Sequence, residues 1–443
     1  MSQQDTVPLM VAPFRLESLH SPGPTGPEPR PQRGRHAVPS HRKRHRGRTV
    51  LVVLLVLLVV AAGGFAGVRL SAPDAPTQAT PVLTGTVSVP TAQVSLPWPA
   101  TGQAAVAIPA LGVTESSGPE QPVSVASMTK LMTAYVILRD HPLALDDEGP
   151  FVAVTPADVT DYDDDTAQDN SSALVAAGEE LSEAQLLGGL LVHSADNYAD
   201  MLADWDAGSV PAFVAKMNAA ADRLGMRHTH FADASGVSSQ SMSTASDILK
   251  VAAADMENPV VQADVRLPAI TLPVAGTIKT YTPLVGLLGV IGVKSGYSST
   301  AGGCDVLGVV HRVDGQPVLL LAAVTGQTGP EVLAQAGLHG LALVSAMEPH
   351  VRSLQAVRQG QLVARVSRGG LSAGAAATAS ASVLTWPGLT AHRHYVRARD
   401  SADQTGRGAT VGAVVVTLGA QRVTVPVRLQ RDVPPEPLLQ RLF

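Results

Sequence analysis

Three short strings hold the residue types from which covalent chemistry could be built. The first is Ser127-Met128-Thr129-Lys130. A serine hydroxyl is a weak nucleophile until a base takes its proton. On a helix, residues i and i+3 share a face, so Lys130 can reach back to Ser127. A helix N-terminus at Ser127 also favours negative charge developing nearby. Burial beside another cation would make the neutral, basic form of the lysine accessible. Taken alone the tetrapeptide is weak evidence, because S-x-x-K arises by chance about once or twice in a chain of this length. Its plain alternative is an N-cap serine followed by a solvated lysine.

The second string, Leu191-Val192-His193-Ser194-Ala195-Asp196-Asn197-Tyr198-Ala199, sets another serine between helical segments, where a polar cluster can face a cleft. The third, Val293-Lys294-Ser295-Gly296-Tyr297, ends a strand with a lysine, a hydroxyl and a glycine. An ammonium and a hydroxyl can hold a carboxylate, and glycine lets a substrate backbone approach. Singly, each reads equally well as a cap or a turn; in this order, on these elements, they read as one site. The lone cysteine, Cys304, excludes an intrachain disulfide and a thiolate metal cage. At the head of an apolar run it reads as a buried structural thiol rather than a nucleophile. The thirteen histidines form no H-E-x-x-H pair, so neither a metal site nor a cofactor is expected.

Ser127-x-x-Lys130, Ser194-Ala195-Asp196 and Lys294-Ser295-Gly296 resemble the S-x-x-K, S-x-N and K-T-G triplet of serine penicillin-recognising enzymes. The surroundings are most similar to the D-alanyl-D-alanine carboxypeptidase family of low-molecular-weight penicillin-binding proteins, in their actinobacterial style. Gly178-Glu179-Glu180-Leu181-Ser182, Phe213-Val214-Ala215-Lys216-Met217-Asn218, Ala232-Asp233-Ala234-Ser235-Gly236 and Ser243-Thr244-Ala245-Ser246-Asp247 add to the match, which runs from about Leu96 to Ala346. The resemblance implies a serine hydrolase that removes the terminal D-alanine of peptidoglycan stem peptides through an acyl-serine and is inhibited by β-lactams. Ser127 would be the acylated nucleophile, Lys130 its base, and Ser194 a proton relay to the leaving group. Lys294 and Ser295 would hold the terminal carboxylate, and the backbone N–H groups of Ser127 and Tyr297 would form the oxyanion hole. Each such donor is typically worth about 3 kcal/mol, because it meets charge present only in the transition state.

Two positions depart from the pattern. Ser295 for Thr keeps the hydroxyl. Asp196 for Asn is the larger change: an amide donates and accepts, whereas an ionised carboxylate only accepts. An anion beside Lys130 also favours its charged form and weakens the base. Asn197 could supply the amide if the loop were re-registered. The expectation is reduced or altered activity. A non-catalytic wall-binding or scaffolding protein is the rival from another class. A β-lactamase is the nearer rival, but Glu257, the one glutamate between Ser194 and Lys294, sits in a Met-Glu-Asn-Pro turn.

The elements that must position these residues follow from periodicity. Met128, Leu131, Met132, Tyr135, Val136 and Leu138 predict a helix starting near Ser127. Helical patterns dominate from Leu181 to about Pro259. Strands are predicted at 104–108, 290–293, 306–310 and 318–324, with Asp314-Gly315 as a hairpin turn and a helix over about 330–346. Strands at both ends of a helical middle predict an α+β fold of the serine β-lactamase/transpeptidase type: an antiparallel sheet flanked by helices with a helical insertion. After His350, short alternating segments, ending in a hairpin turned at Gly419, predict a small all-β domain.

The chain has 443 residues, so more than one folded unit is expected. Residues 1–48 are Pro-, Gly-, Arg- and His-rich and read as a disordered basic cytoplasmic tail. Residues 49–68 carry no charge and match the roughly 20 residues of a single transmembrane helix. The basic run His41 to Arg48 would keep the tail inside and the rest of the chain outside the membrane. An uncleaved anchor is preferred to a cleaved signal peptide, whose n-region would be abnormally long. Residues 69–95 read as a Pro-rich tether, 96–346 as the catalytic domain and 347–443 as the β domain. A net charge of -5 argues against a nucleic-acid partner.

Overall fold

A computed structural model describes residues 44–442. They divide into two units, one reaching to Ala72 and the other beginning at Pro73. In the first, the helix Arg44–Ser71 contains the whole of the predicted span. Its Gly47–Ser71 part is long and apolar enough to cross a membrane, with a mean hydropathy of 2.8. Leu51 through Val60 are exposed on every side of it. An all-round apolar surface without protein cover is what a lipid-facing helix presents. Most of the predicted basic tail lies outside the described residues.

The second unit is α+β. Its five-stranded antiparallel sheet runs Val290–Ser298, Gly302–Val313, Gln316–Gln327, Gln103–Ile108, Val113–Ser116. The central strands are apolar on both faces because they are covered on both. From Gln316–Gln327, Leu321 and Ala323 enter one core, while Leu320, Ala322 and Val324 enter the other. Successive strand residues point to opposite faces, so one run feeds two cores. The first core is shared with the helices Thr129–Asp140, Asp196–Ala207, Val210–Arg223 and Ala245–Asp255. The second receives the helix Val332–Met347 and the C-terminal strands. Asp314 and Gly315 turn the hairpin at φ of 50° and 81°, the left-handed conformation that a two-residue loop requires.

The helix Thr129–Asp140 buries more than the predicted stripe. Every residue from Thr129 to Leu138 except Tyr135 is buried. It therefore runs through the middle of the helical lobe and carries its polar side chains, Lys130 included, into a dry interior.

A seven-stranded antiparallel sheet follows, in the order Gln78–Pro81, Leu362–Arg368, Leu371–Ala377, Gln421–Leu429, Thr410–Leu418, Thr390–Arg397, Gly85–Ser88. The pair Arg352–Val357 and Ala381–Thr385 packs against its inner face. Its two edges correct the sequence reading. Residues 78–81 and 85–88, expected within an extended tether, are strands, with Gln78 opposite Ser367 and Thr86 opposite His392. They pair because both edges of the C-terminal sheet offer open N–H and C=O groups, which a short segment of Thr and Val satisfies.

Candidate active site

Ser127 lies in a short 3-10 turn, Ala126–Met128, that leads directly into Thr129–Asp140. The preceding Ala126 has φ 46°, a left-handed conformation that is strained for a residue with a side chain. Two glycines make the turn possible. A Cβ on Gly236 would lie 2.0 Å from the Ala126 carbonyl oxygen, and one on Gly296 would lie 2.6 Å from the Ser127 nitrogen. The strand Val290–Ser298 thus passes directly against the backbone of the candidate nucleophile. This approach, as much as substrate access, is why a glycine stands in Lys294-Ser295-Gly296.

Lys130, one turn on, is fully buried. Its Nζ donates to Ser127 Oγ at 3.1 Å and to the Ser235 carbonyl at 2.9 Å, and makes a short contact with Asp196 Oδ1. The loop that offers the Ser235 carbonyl is organised by Asp233, which accepts from Ser235 Oγ, Gly236 N, Ser238 N and Ser241 Oγ. Thr133 Oγ1 ties the same loop to the helix through the Ala234 carbonyl at 2.6 Å.

Ser194 follows a π-helical turn, Gly189–His193, and itself adopts φ 64°. Such turns recur where a helix is bent to present a side chain. The residue is buried and its Oγ has no partner among the described residues. It faces a cavity of about 290 Å³ shared with Ser127, Asp196, Ser295, Gly296 and Tyr297. Three strings separated by some 60 to 100 residues of chain therefore meet at one concave surface. The loop residues Asn170, Ser171, Val237 and Tyr281, with Leu333 from the first turn of the helix Val332–Met347, complete the wall. Their identities carry no catalytic signature, so sequence reasoning did not find them.

Two predicted members stand elsewhere. The Asn197 amide is clamped to one backbone unit, accepting from Ala173 N at 3.1 Å and donating to Ala173 O at 2.8 Å. It is buried off the cavity wall, so it does not take the place of the missing amide; Asp196 keeps the register. Lys294 is fully buried behind the wall and donates to the Ser295 carbonyl at 2.9 Å. Ser295 Oγ donates to the Tyr281 carbonyl at 3.1 Å.

Burial dominates the electrostatics. Desolvation raises the Asp196 carboxyl above its usual range, against the pull of Lys130. Asp200, one turn along the same helix, is pushed up to about 7 by desolvation, with the charges of Asp165 and Asp196 adding to it. Burial holds Lys294 well below an ordinary lysine, and the nearby Lys130 charge acts in the same direction. Asp305, opposite Ser295 in the next strand, is buried with neither oxygen bonded, and desolvation holds it well above the carboxylate range. Asp200 and Asp305 went unnoticed in the sequence, where each is one acid among many. Cys304 is buried, with burial raising its thiol to about 11, as suits a structural residue. Among the described residues no three His, Cys, Asp or Glu side chains converge as metal ligands.

Comparison with known proteins agrees with this geometry. The family model for D-alanyl-D-alanine carboxypeptidase matches residues 112–318. A D-alanyl-D-alanine carboxypeptidase of a Streptomyces species is 33% identical over 214 residues, covering 42% of this chain and 72% of that protein. The chain belongs to the D-alanyl-D-alanine carboxypeptidase family. Among solved structures, a Streptomyces DD-transpeptidase superposes with a TM-score of 0.50 at 26% identity, over 57% of this chain and 98% of the other. Penicillin-binding protein 5 of Haemophilus influenzae gives 0.54 at 19% identity over 77% and 99%, a likeness of fold that extends into the C-terminal strands.

Proposed function

We propose that this protein removes the terminal D-alanine from peptidoglycan stem peptides through an acyl-Ser127 intermediate and is acylated by β-lactams at the same atom. The meeting of Ser127 and Ser194 at one cavity, with Lys130 Nζ buried behind it 3.1 Å from Ser127 Oγ, carries the reading. Lys130 serves as the base in its amine form, held beside Ser127 Oγ and the Ser235 carbonyl. The amine lone pair then faces Ser127 Oγ and takes its proton as Oγ bonds to the penultimate carbonyl carbon. Backbone N–H groups of Ser127 and Tyr297 meet the oxyanion. The C–N bond breaks as Ser194 passes a proton to the departing D-alanine nitrogen, and water later cleaves the ester. Ser295, with the Lys294 side chain buried behind it, receives the terminal carboxylate.

The substrate lies outside the cytoplasmic membrane. The apolar helix holds the chain there, with the basic residues that precede it on the cytoplasmic side. Incubation with a D-alanyl-D-alanine pentapeptide, followed by mass spectrometry, tests the activity: free D-alanine and a trapped acyl-enzyme are expected from wild type and neither from Ser127→Ala. An unmodified wild-type protein with intact peptide would defeat the reading.

The Lys130–Asp196 contact favours one alternative, a binding protein with impaired turnover, because an ionised partner occupies the base. Asp196→Asn discriminates: faster acylation by a fluorescent penicillin marks the carboxylate as the brake. A β-lactamase is disfavoured, because Glu257 is exposed in a turn and takes no part in the cavity wall.

A further inference from the structure

The seven-stranded sheet has two unlike faces. Val414, Val416, Val425 and Val427 point inward and are buried in the core. The outward face carries Arg365, Arg422, Arg428, His392 and His394, all five exposed, among threonines and serines and an apolar row of Val396, Ala413 and Pro426. The register places them together. Arg365 is opposite Gly374, Arg428 is opposite Ala376 on that same strand, and Arg422 and His392 both face Thr417. In the register of all seven strands, no Asp or Glu shares this face. None of the three arginines has an ion-pair partner among the described residues; Arg428 Nε reaches only Thr410 Oγ1 at 3.3 Å. A surface serving solubility alone mixes both signs. Here, in a chain whose net charge is -5, the strands of this face carry one sign only.

Covalent connection narrows the partner. The apolar helix ends at Ser71 and the first edge strand of this sheet begins at Gln78. The six residues between them span at most about 20 Å when fully extended. The arginine face therefore belongs to a sheet tethered at short range to a lipid surface. Guanidinium groups pair with phosphate oxygens through two parallel hydrogen bonds, and serine and threonine hydroxyls serve as further donors. Basic residues close to an anionic leaflet each add attraction that fades within a Debye length.

We propose that this sheet face binds the anionic phospholipid headgroups of the bilayer that holds the N-terminal helix. The proposal rests on the reading of that helix as a membrane anchor and is independent of the peptidase chemistry. Docking the sheet flat would hold the catalytic cavity at a defined height and orientation instead of leaving it on a free tether.

The test uses the full chain in lipid nanodiscs. A donor fluorophore is placed at Gln430→Cys, since Cys304 is buried and does not compete for label. Acceptors are placed on the lipid headgroups. Energy transfer should be at least about twofold higher in discs containing phosphatidylglycerol than in phosphatidylcholine discs, and about 0.5 M salt should erase the difference. The variant Arg365→Glu/Arg422→Glu/Arg428→Glu should lose it entirely, and the corresponding Gln triple variant should lose most of it while keeping the wild-type circular dichroism. Equal transfer in both lipids, or a gain that survives both triple variants, would overturn the proposal. So would protection of the strand Gln421–Leu429 from hydrogen exchange by soluble polyglycerol phosphate but not by anionic lipid, because the face would then serve a wall polymer. Penicillin acylation measured in the same discs keeps the two readings separate: its absence defeats the peptidase and leaves the lipid result standing.

Discussion

Between Leu96 and Ala346 stand twenty-eight Asp and Glu against ten Lys and Arg; between Met347 and Phe443 stand twelve Arg against five acids. The two regions also use charge differently. In the peptidase region the ionisable groups near the cavity are buried: Lys130, Lys294, Asp196 and Asp305 are each almost inaccessible. There, position in a low dielectric controls protonation, and salt has little access. In the sheet region, Arg365, Arg422 and Arg428 are exposed. Such charges attract at long range, hold a partner weakly one by one, and are screened by salt. Burial lets small displacements change protonation, whereas exposed charge of one sign attracts the opposite sign at a distance.

The largest expected effect separates the regions completely. Ser127→Ala should reduce penicillin acylation by about a thousandfold or more, because members of a nucleophile–base unit fail together. Lipid-dependent energy transfer at the sheet should be unchanged. A loss of both would mean that the two regions are not independent and would break the comparison.

Next is Gly296→Ala. Its Cβ would press on the Ser127 nitrogen at 2.6 Å, a backbone atom that does not rotate away. The strand must retreat, widening the gap between the oxyanion donors. Acylation should fall about a hundredfold, the scale of losing one such donor. Melting temperature should drop by only a few degrees. A variant that acylates normally would show that the strand–turn contact is not what sets the oxyanion geometry.

Asp196→Asn should move acylation the other way, by about tenfold upward near neutral pH. An amide keeps the short contact region filled and adds a donor, while removing the anion that pairs with Lys130. A fluorescent penicillin read over a pH series checks both the rate and the profile. An unchanged profile would show that the carboxylate is not a brake.

The outcome for the sequence reading follows the range of each interaction. Ser127-x-x-Lys130 was legible because its 3.1 Å contact spans a single helical turn. The α+β alternation was legible because strands buried on both faces are long apolar runs, such as Val318 to Val324. The edge strands at 78–81 and 85–88 were not, because their only structural signal is pairing with residues some 300 positions away. Proline content masked them as tether. Asn197 was misplaced for a similar reason: its amide is taken by the backbone of Ala173, a partner that no side-chain pattern announces. The arginine face emerges only when strand register sorts twelve arginines into those that share a side and those that do not.

The smallest expected effect probes whether buried acids in the peptidase region act as a group or site by site. Asp264 takes no part in the cavity wall, has an unbonded Oδ2, and is pushed up to about 7 by desolvation. An unfolded aspartate titrates near 3.8, so between about pH 4 and 7 the native state holds a proton that the unfolded state has released. Stability from this residue is therefore complete below about pH 4, falls as pH rises, and reaches its full deficit above about pH 7. Asp264→Asn cannot ionise and should flatten that slope. Relative to wild type, the variant should gain about 2 kcal/mol on going from pH 4 to pH 8, after allowance for partial solvent screening. Its unbonded amide lowers stability equally at both ends and drops out of the difference. Chemical denaturation at the two pH values measures it. Parallel curves would mean that Asp264 relaxes toward water, and the contrast of buried with exposed charge would then hold only for the acids around the cavity.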